Sequence, residues 1–188
     1  MSQEIKDKLT TIVGSGNVFD DAATLEAYSR DQSFTPARKP NYVVKVSKVE
    51  EIQDVIRYAG EIKMPVVPYS SGTDFHGGAI PVLGGILLDM SGMKQISELD
   101  TKLWSVTVAP GVTYKELQDK LAKDNLRVQV PLMAPSNSSV LASYLDREEV
   151  PGAGDFIYGN EMIQTFRMTL PSGERTGDFN TWIQTDAA

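Results

Sequence analysis

Side chains that could do chemistry crowd into one short stretch of the 188-residue chain, "YSSGTDFHGG", Tyr69 to Gly78. It holds the single histidine, His76, so a zinc site or a Ser-His-Asp triad would have to be built around that residue. No ligand or nucleophile motif of suitable spacing lies beside it. The chain has no cysteine, which removes thiolate metal sites, iron–sulfur clusters, disulfides and a cysteinyl nucleophile together. What the stretch and its continuation do carry is glycine and hydroxyl: Gly72, Gly77, Gly78, Gly84 and Gly85, with Ser70, Ser71, Thr73 and Asp74. Small residues free to take positive φ can line up successive amide N–H groups into a concavity suited to phosphate oxygens, and hydroxyls add donors. A sharp turn would use the same residues. Two phosphate motifs are excluded. A Walker loop needs a Lys that does not occur here, and a Rossmann fingerprint must open a helix, whereas this loop runs into Pro81 and an apolar run. Gly14-Ser15-Gly16, followed by Asn-Val-Phe, fails the second test as well.

The elements around the loop predict where it sits. Gln3 to Val13 and Asp21 to Tyr28 read as two short helices, the second capped by Asp20 or Asp21, and "FTPARKP" reads as a loop. Tyr42 to Val46 is β-rich and leads into Ser47-Lys48-Val49-Glu50, a capping-box pattern. Val49, Ile52, Val55, Ile56, Ala59 and Ile62 then recur at helical spacing, leaving Glu51, Gln53, Asp54 and Arg57 on a wet face. Pro65 to Pro68 reads as the next strand, completing a strand–helix–strand unit with the glycine loop at its C-terminal end. Beyond it, Gly85 to Asp89 and Trp104 to Val108 are expected as strands, joined through "MSGMKQISELDTK" with another short strand. Thr113-Tyr114-Lys115-Glu116 is a second capping box. Ser138 to Arg147 is expected as a helix, "EEVPGAGD" as a loop, and Ile163 to Leu170, "PSGE" and Arg175-Thr176 as strand, turn and return strand.

The composition, 41% hydrophobic, suits one domain divided into two lobes, and the element order is α+β. A net charge of −7 argues against nucleic acid, which is held by clustered Lys and Arg. The longest greasy stretch, Ala79 to Leu88, is interrupted by Pro81, Gly84 and Gly85 and is too short to span a bilayer. No apolar leader precedes the charged opening helix, so the expected location is cytoplasmic.

With these motifs in place, the chain resembles the FAD-binding domain shared by vanillyl-alcohol oxidase, p-cresol methylhydroxylase, D-lactate dehydrogenases and glycolate oxidase. "YSRDQS" at 28–33 is similar to the family's leading segment. The run from "VVKVSKVEEIQDVI" through "VVPYSSGTDFHGGAIPVLGGILLDMSGMKQI" is similar to its strand, helix, strand, P-x-G-G-G-T, G-G-A and G-G-V-V-L-D-L-S sequence. "TVAPGVTYKELQDKLAKDNL" and "YGNEMIQTFRMTLPSGERTG" resemble two further family blocks, and "PSNSSVLASYLDR" resembles the S-S-V-L-G-N-A-L-E-R-G of the vanillyl-alcohol oxidase branch.

The resemblance implies a two-lobed α+β FAD-binding domain spanning 1–188, with lobes at about 1–90 and 91–188 and FAD between them. It implies that Tyr69, Ser70, Ser71, Gly72, Thr73 and Asp74 hold the diphosphate, chiefly through backbone amides, with Tyr69 also packing. Pro135, Ser138, Ser139, Val140, Gly159 and Ile163 would lie along the flavin and diphosphate, whereas Leu141 and Leu145 are expected in the core. FAD is expected to be non-covalent: the family's histidine tether in this loop aligns nearer Thr73 or Asp74, so His76 is assigned a supporting role. No metal is expected. The departures are Ser70 and Ser71 for two glycines, Ala142 for a glycine near the flavin, and Glu148-Glu149 for small residues; carboxylates beside a diphosphate repel it unless they point outward. The family's substrate domain, which carries its catalytic acid–base groups, has no counterpart here. The implied function is therefore the FAD-binding subunit or half of an oxidoreductase acting on a small-molecule alcohol, hydroxy acid or p-alkylphenol, completed by a second polypeptide or by self-association. The alternative is a non-catalytic interaction subunit with a degenerate FAD fold.

Overall fold

A computed structural model describes residues 2–146, 149–151, 156–158, 163–176 and 179–180. Helix α1 (Ser2–Val13) buries Leu9 and Val13, and β1 (Val18–Phe19) follows it. Helix α2 (Ala22–Ala27) is capped by Asp21, whose carboxylate accepts from Thr24 N at 2.9 Å. Strand β2 (Tyr42–Lys45) leads to α3 (Val49–Glu61), which buries Ile52, Val55 and Ala59 as its 3.6-residue stripe demands. Its cap differs from the expected Ser47–Glu50 pair. The helix starts at Val49, so the residue in reach of the free amides is Glu51, whose Oε2 accepts from Ser47 N (2.7 Å) and Lys48 N (3.2 Å). The expected wet face is also partly used: Gln53 Nε2 donates to Gly173 O at 2.9 Å, docking the turn at 171–174 against α3.

Strands β3 (Val66–Tyr69) and β4 (Ile86–Asp89) complete a sheet in the order β1-β2-β4-β3. Both β2 and β3 lie parallel to β4, and β1 is antiparallel to β2. Central β4 is buried throughout, including Asp89, which explains its unbroken apolar run. Pro68 sits in β3, the edge strand, where a missing N–H disrupts no ladder. One core joins α1, α3 and this sheet.

A second core gathers Val112, two residues before α4, with Tyr114, Leu117 and Leu121 of α4 (Tyr114–Leu121) and Val140 and Tyr144 of α5 (Val140–Leu145). The capping box of α4 forms as its sequence predicts: Thr113 Oγ1 accepts from Glu116 N and Glu116 Oε2 accepts from Thr113 N. The expected strand at 104–108 does not form. Trp104 adopts φ +50°, which no strand residue can, inside a tight turn closed by Asp100 and Ser105. Among the described residues this region is joined by isolated bridges, Ile96 to Val108 and Asp100 to Ser105, and not by a ladder. Conversely, the stretch read as a loop contributes β5 (Glu149–Pro151), antiparallel to β6 (Phe156–Tyr158). The last pair is β7 (Thr165–Phe166) with β8 (Phe179–Asn180); Leu170 N donates to Glu174 O across the expected turn. Among the described residues, no helix is long and apolar enough to cross a membrane.

Candidate functional site

Strands β3 and β4 run in the same direction and end side by side, with Tyr69 and Asp89 in register. Ligands of parallel sheets collect outside such carboxyl ends. Here residues 70–74, Gly78 and Ala79 of the loop after β3, with Met90 after β4, form one wall of a cleft of about 270 Å3. The other wall comes from Pro110, Ser138 and α5. The second wall is held together by backbone, with Tyr114 N donating to Ser138 O at 3.1 Å and Val140 N to Val112 O at 3.0 Å, and Gly111 N, donating to Met93 O at 3.0 Å, ties it to the segment after β4.

The loop is shaped by its own polar groups. Gly72 has φ +65°, and a Cβ built there would lie 2.8 and 2.9 Å from Tyr69 Cζ and Cε2, so only glycine fits beneath that ring. Ser71 Oγ and Thr73 Oγ1 are 3.0 Å apart. Asp74 Oδ1 accepts from His76 N (2.9 Å) and Oδ2 from Gly78 N (2.5 Å), while Asp74 O accepts from Gln32 N at 3.0 Å. The Asp74 carboxylate is thus spent on folding the loop. His76 Nδ1 stands 3.3 Å from Asp74 Oδ1, and the imidazole is 70% exposed.

Behind the loop, Tyr28 donates its hydroxyl to Asp89 Oδ2 at 2.7 Å, and Asp89 Oδ1 accepts from Ser91 N at 2.8 Å. This carboxylate is 1% exposed, so both partners are required. Burial and then the bond to Asp89 push the Tyr28 phenol far above its ordinary value; burial and then the Asp89 charge raise Tyr69 as well. The two rings meet edge to face at 4.9 Å.

Of the residues expected to contact FAD, Tyr69 to Asp74 and Ser138 line this cleft. Ser139 and Val140 are buried behind it. The Ser139 hydroxyl is occupied, donating to Pro110 O at 2.7 Å and accepting from Ala142 N at the start of α5, and Val140 belongs to the second core. Pro135 and Ile163 do not line the cleft; Pro135 O closes a turn by accepting from Ser138 N, and Ile163 packs against the second core. Gly159 lies outside the described residues, as does Glu148. Glu149 is exposed and lines a second hollow with His76, Leu132 and Met133, and it is not among the residues lining the cleft. The expected core position of Leu145 is corrected: it is 51% exposed and lines the cleft with Leu141, Ala142 and Asp146. These four are one and four residues apart, so they share the face of α5 that its helical period turns toward the loop. Tertiary folding also brings donor atoms of Asp74, His76 and Asp146 within 4.8 Å of one another.

Comparison with known proteins gives this arrangement its class. Residues 40–177 match the FAD binding domain family model, and the chain belongs to that family. It is 30% identical over 189 residues to the 4-cresol dehydrogenase (hydroxylating) flavoprotein subunit of Pseudomonas putida, covering 93% of this chain and 36% of that one. An uncharacterised FAD-linked oxidoreductase of Mycobacterium tuberculosis is 34% identical over 128 residues, 68% of this chain and 28% of its own. The fold superposes on substrate-bound p-cresol methylhydroxylase with a TM-score of 0.79 at 26% identity, over 93% of this chain and 34% of that chain. It superposes on 4-ethylphenol oxidase of Gulosibacter chungangensis with a TM-score of 0.81 at 22% identity, over 98% and 36%. The chain spans about a third of the length of these relatives. The fold is the α+β FAD-binding type expected, and FAD is its cofactor.

The residues fit that group. A cradle that a Cβ would fill, hydroxyls at 69, 70, 71 and 73, and an apolar helix face opposite are the donor set and the wall an anionic, aromatic cofactor needs. No Lys or Arg is among the described residues that line the cleft, so the donors they offer are amides and hydroxyls.

Proposed function

We propose that this chain is the FAD-binding part of a flavin-dependent oxidoreductase that oxidises an alcohol, a hydroxy acid or a p-alkylphenol. The carrying observation is the glycine cradle at the carboxyl end of β3, facing Ser138 and α5 in a chain of this family. FAD, when bound, accepts the electrons of such a substrate. The chain's own residues hold it: amides of 71–73 and neighbouring hydroxyls take the diphosphate, and Leu141, Ala142 and Leu145 keep water from the opposite side. Attachment is non-covalent, since the exposed imidazole of His76 is turned to Asp74. Phenolic substrates are favoured by the 30% identity to a 4-cresol dehydrogenase subunit over nearly the whole chain.

The two cores support a division into lobes near residue 90. Acid–base groups for the reaction are supplied by a second polypeptide or by self-association, a reading supported by the similarity to a protein named as the flavoprotein subunit of 4-cresol dehydrogenase. A cytoplasmic location completes the proposal and is checked by cell fractionation.

The test is to purify the protein, denature it and centrifuge. Yellow flavin in the supernatant is expected. Colour on the pellet would overturn non-covalent attachment, and a colourless protein that refuses added FAD would leave the interaction-subunit alternative.

A further inference from the structure

Two exposed apolar features lie outside the cleft. The first is a knob at the turn after Asp100, where Leu103 and Trp104 are 62% and 69% exposed. The Trp104 indole has no hydrogen bond or ring partner among the described residues. Its backbone stands at φ +50°, a left-handed conformation that strains a residue of this bulk. The turn is nevertheless clamped. Asp100 N donates to Ser105 O at 2.8 Å and Ser105 N to Asp100 O at 3.2 Å, Asp100 Oδ1 accepts from Lys102 N and Leu103 N, and Gln164 Nε2 donates to Leu103 O at 3.3 Å. Strain that shows an aromatic ring to solvent stabilises nothing inside the fold and points to a use outside it. A tryptophan on a backbone fixed in advance has the form of an interface anchor, because little main-chain freedom is left to lose on docking.

The second feature is the hollow of about 350 Å3 lined by Phe75, His76, Pro131, Leu132, Met133 and Glu149. Trp104 is not among its lining residues, so a chain does not fill its hollow with its own knob. Charge completes the match between the two. Lys102 beside the knob and Glu149 at the hollow are both exposed, and neither has an ion-pair partner among the described residues. A further exposed apolar turn, Val82–Leu83, lies between Pro81 and Gly84 and has no such flanking charge.

We propose that the chain self-associates through these two surfaces: Leu103 and Trp104 of one copy enter the hollow of a second copy, and Lys102 of the first faces Glu149 of the second. Knob and hollow are different patches of one chain, which is the arrangement of a heterologous contact; a reciprocal exchange of knobs closes it as a dimer. The opposite charges fix the register of the contact more than they strengthen it. This association goes beyond the FAD reading and stands without it.

The test is sedimentation equilibrium of the full chain over a concentration series, beside Trp104→Asn and Leu132→Asp. Asparagine tolerates the left-handed backbone, so the first variant keeps the turn and deletes the indole. Leu132 is 64% exposed, so the second leaves both cores intact. The wild-type protein is expected to self-associate and each variant to do so about thirtyfold more weakly, as for loss of an aromatic anchor or of its pocket. An equimolar mixture of the two variants is expected to recover association, because the intact knob of one meets the intact hollow of the other. Lys102→Glu and Glu149→Lys should each weaken association and recover it when mixed, and Leu83→Ser should leave it unchanged. A wild-type protein that is monomeric throughout, or variants that associate as it does, overturn the proposal. So does failure of the Trp104→Asn and Leu132→Asp mixture to recover, or a loss with Leu83→Ser as large as with Trp104→Asn. Thermal unfolding at a dilution where every protein is monomeric is the remaining control. A midpoint for Trp104→Asn below that of the wild type would show that the indole packs within its own chain, and would overturn the knob.

Discussion

Replacing Gly72 by alanine probes the cradle directly. At φ +65° an L-residue is in the left-handed region, which costs about 1–2 kcal/mol. The new methyl would also sit under 3 Å from Tyr69 Cζ and Cε2, and that ring cannot swing away without losing its contact with Tyr28, an overpacking cost of about 1–3 kcal/mol. Together these lower the unfolding midpoint by roughly 5–15 °C for a chain of this size. The two contributions separate in a double-mutant cycle with Tyr69→Ala. The methyl–ring clash vanishes in that background while the backbone cost stays, so Gly72→Ala should cost less there by the size of the overpacking part. Urea unfolding of the four proteins measures this, and FAD titration reports the same loop through affinity. If Gly72→Ala costs the same with and without the Tyr69 ring, the ring is not packed on the cradle and the argument fails.

Tyr28→Phe strands one oxygen of the buried Asp89 carboxylate and should destabilise by about 1–3 kcal/mol in urea unfolding at neutral pH. Because Tyr28 and Tyr69 are raised above 10.0 in the folded protein, the stability they contribute is complete below pH 10 and is lost as pH climbs through the raised values; the Tyr28→Phe protein should show a shallower alkaline loss. Glu116 behaves oppositely. Burial opposes its charge, but the Lys94 bond and the Thr113 amide outweigh burial and hold it below 4.5, so its contribution is present above that pH and lost on acidification. Glu116→Gln should flatten the acid limb of the stability profile. Gly111→Ala would place a methyl 2.5–2.8 Å from the carbonyl oxygens of Ser91, Met90 and Met93, backbone atoms with little room to yield, and is expected to leave little soluble folded protein on expression.

Local patterns were legible where one neighbourhood settles the structure. The stripe of α3, the Thr113–Glu116 cap and the apolar run of β4 are set by helical period, by a four-residue reach and by burial on both faces, all of which can be read along the chain. The Trp104 region shows the limit: its β-rich composition suits a strand, but Asp100 accepting from Lys102 N and Leu103 N imposes a turn instead. The cap of α3 slipped by one residue for a similar reason, since adjacent glutamates are equally plausible until the helix start is known.

For the site, sequence by itself determined that a glycine- and hydroxyl-rich loop follows a strand, that cysteine chemistry is absent, and that His76 stands alone. Residue type and order are enough for those statements. Which groups share the cleft was decided by folding, because β3 and β4 end in register, Gly111 N bonds to Met93 O after β4, and backbone bonds from 114 and 140 hold Ser138 and α5 to that segment. Only that juxtaposition shows that Ser139 is spent on a cap, that Leu145 faces the cleft, and that the Tyr69 ring is held between Tyr28 and Gly72. Hydrogen bonds are exclusive: which donors remain for a ligand depends on every partner already taken, and those partners lie up to 61 residues away in the chain.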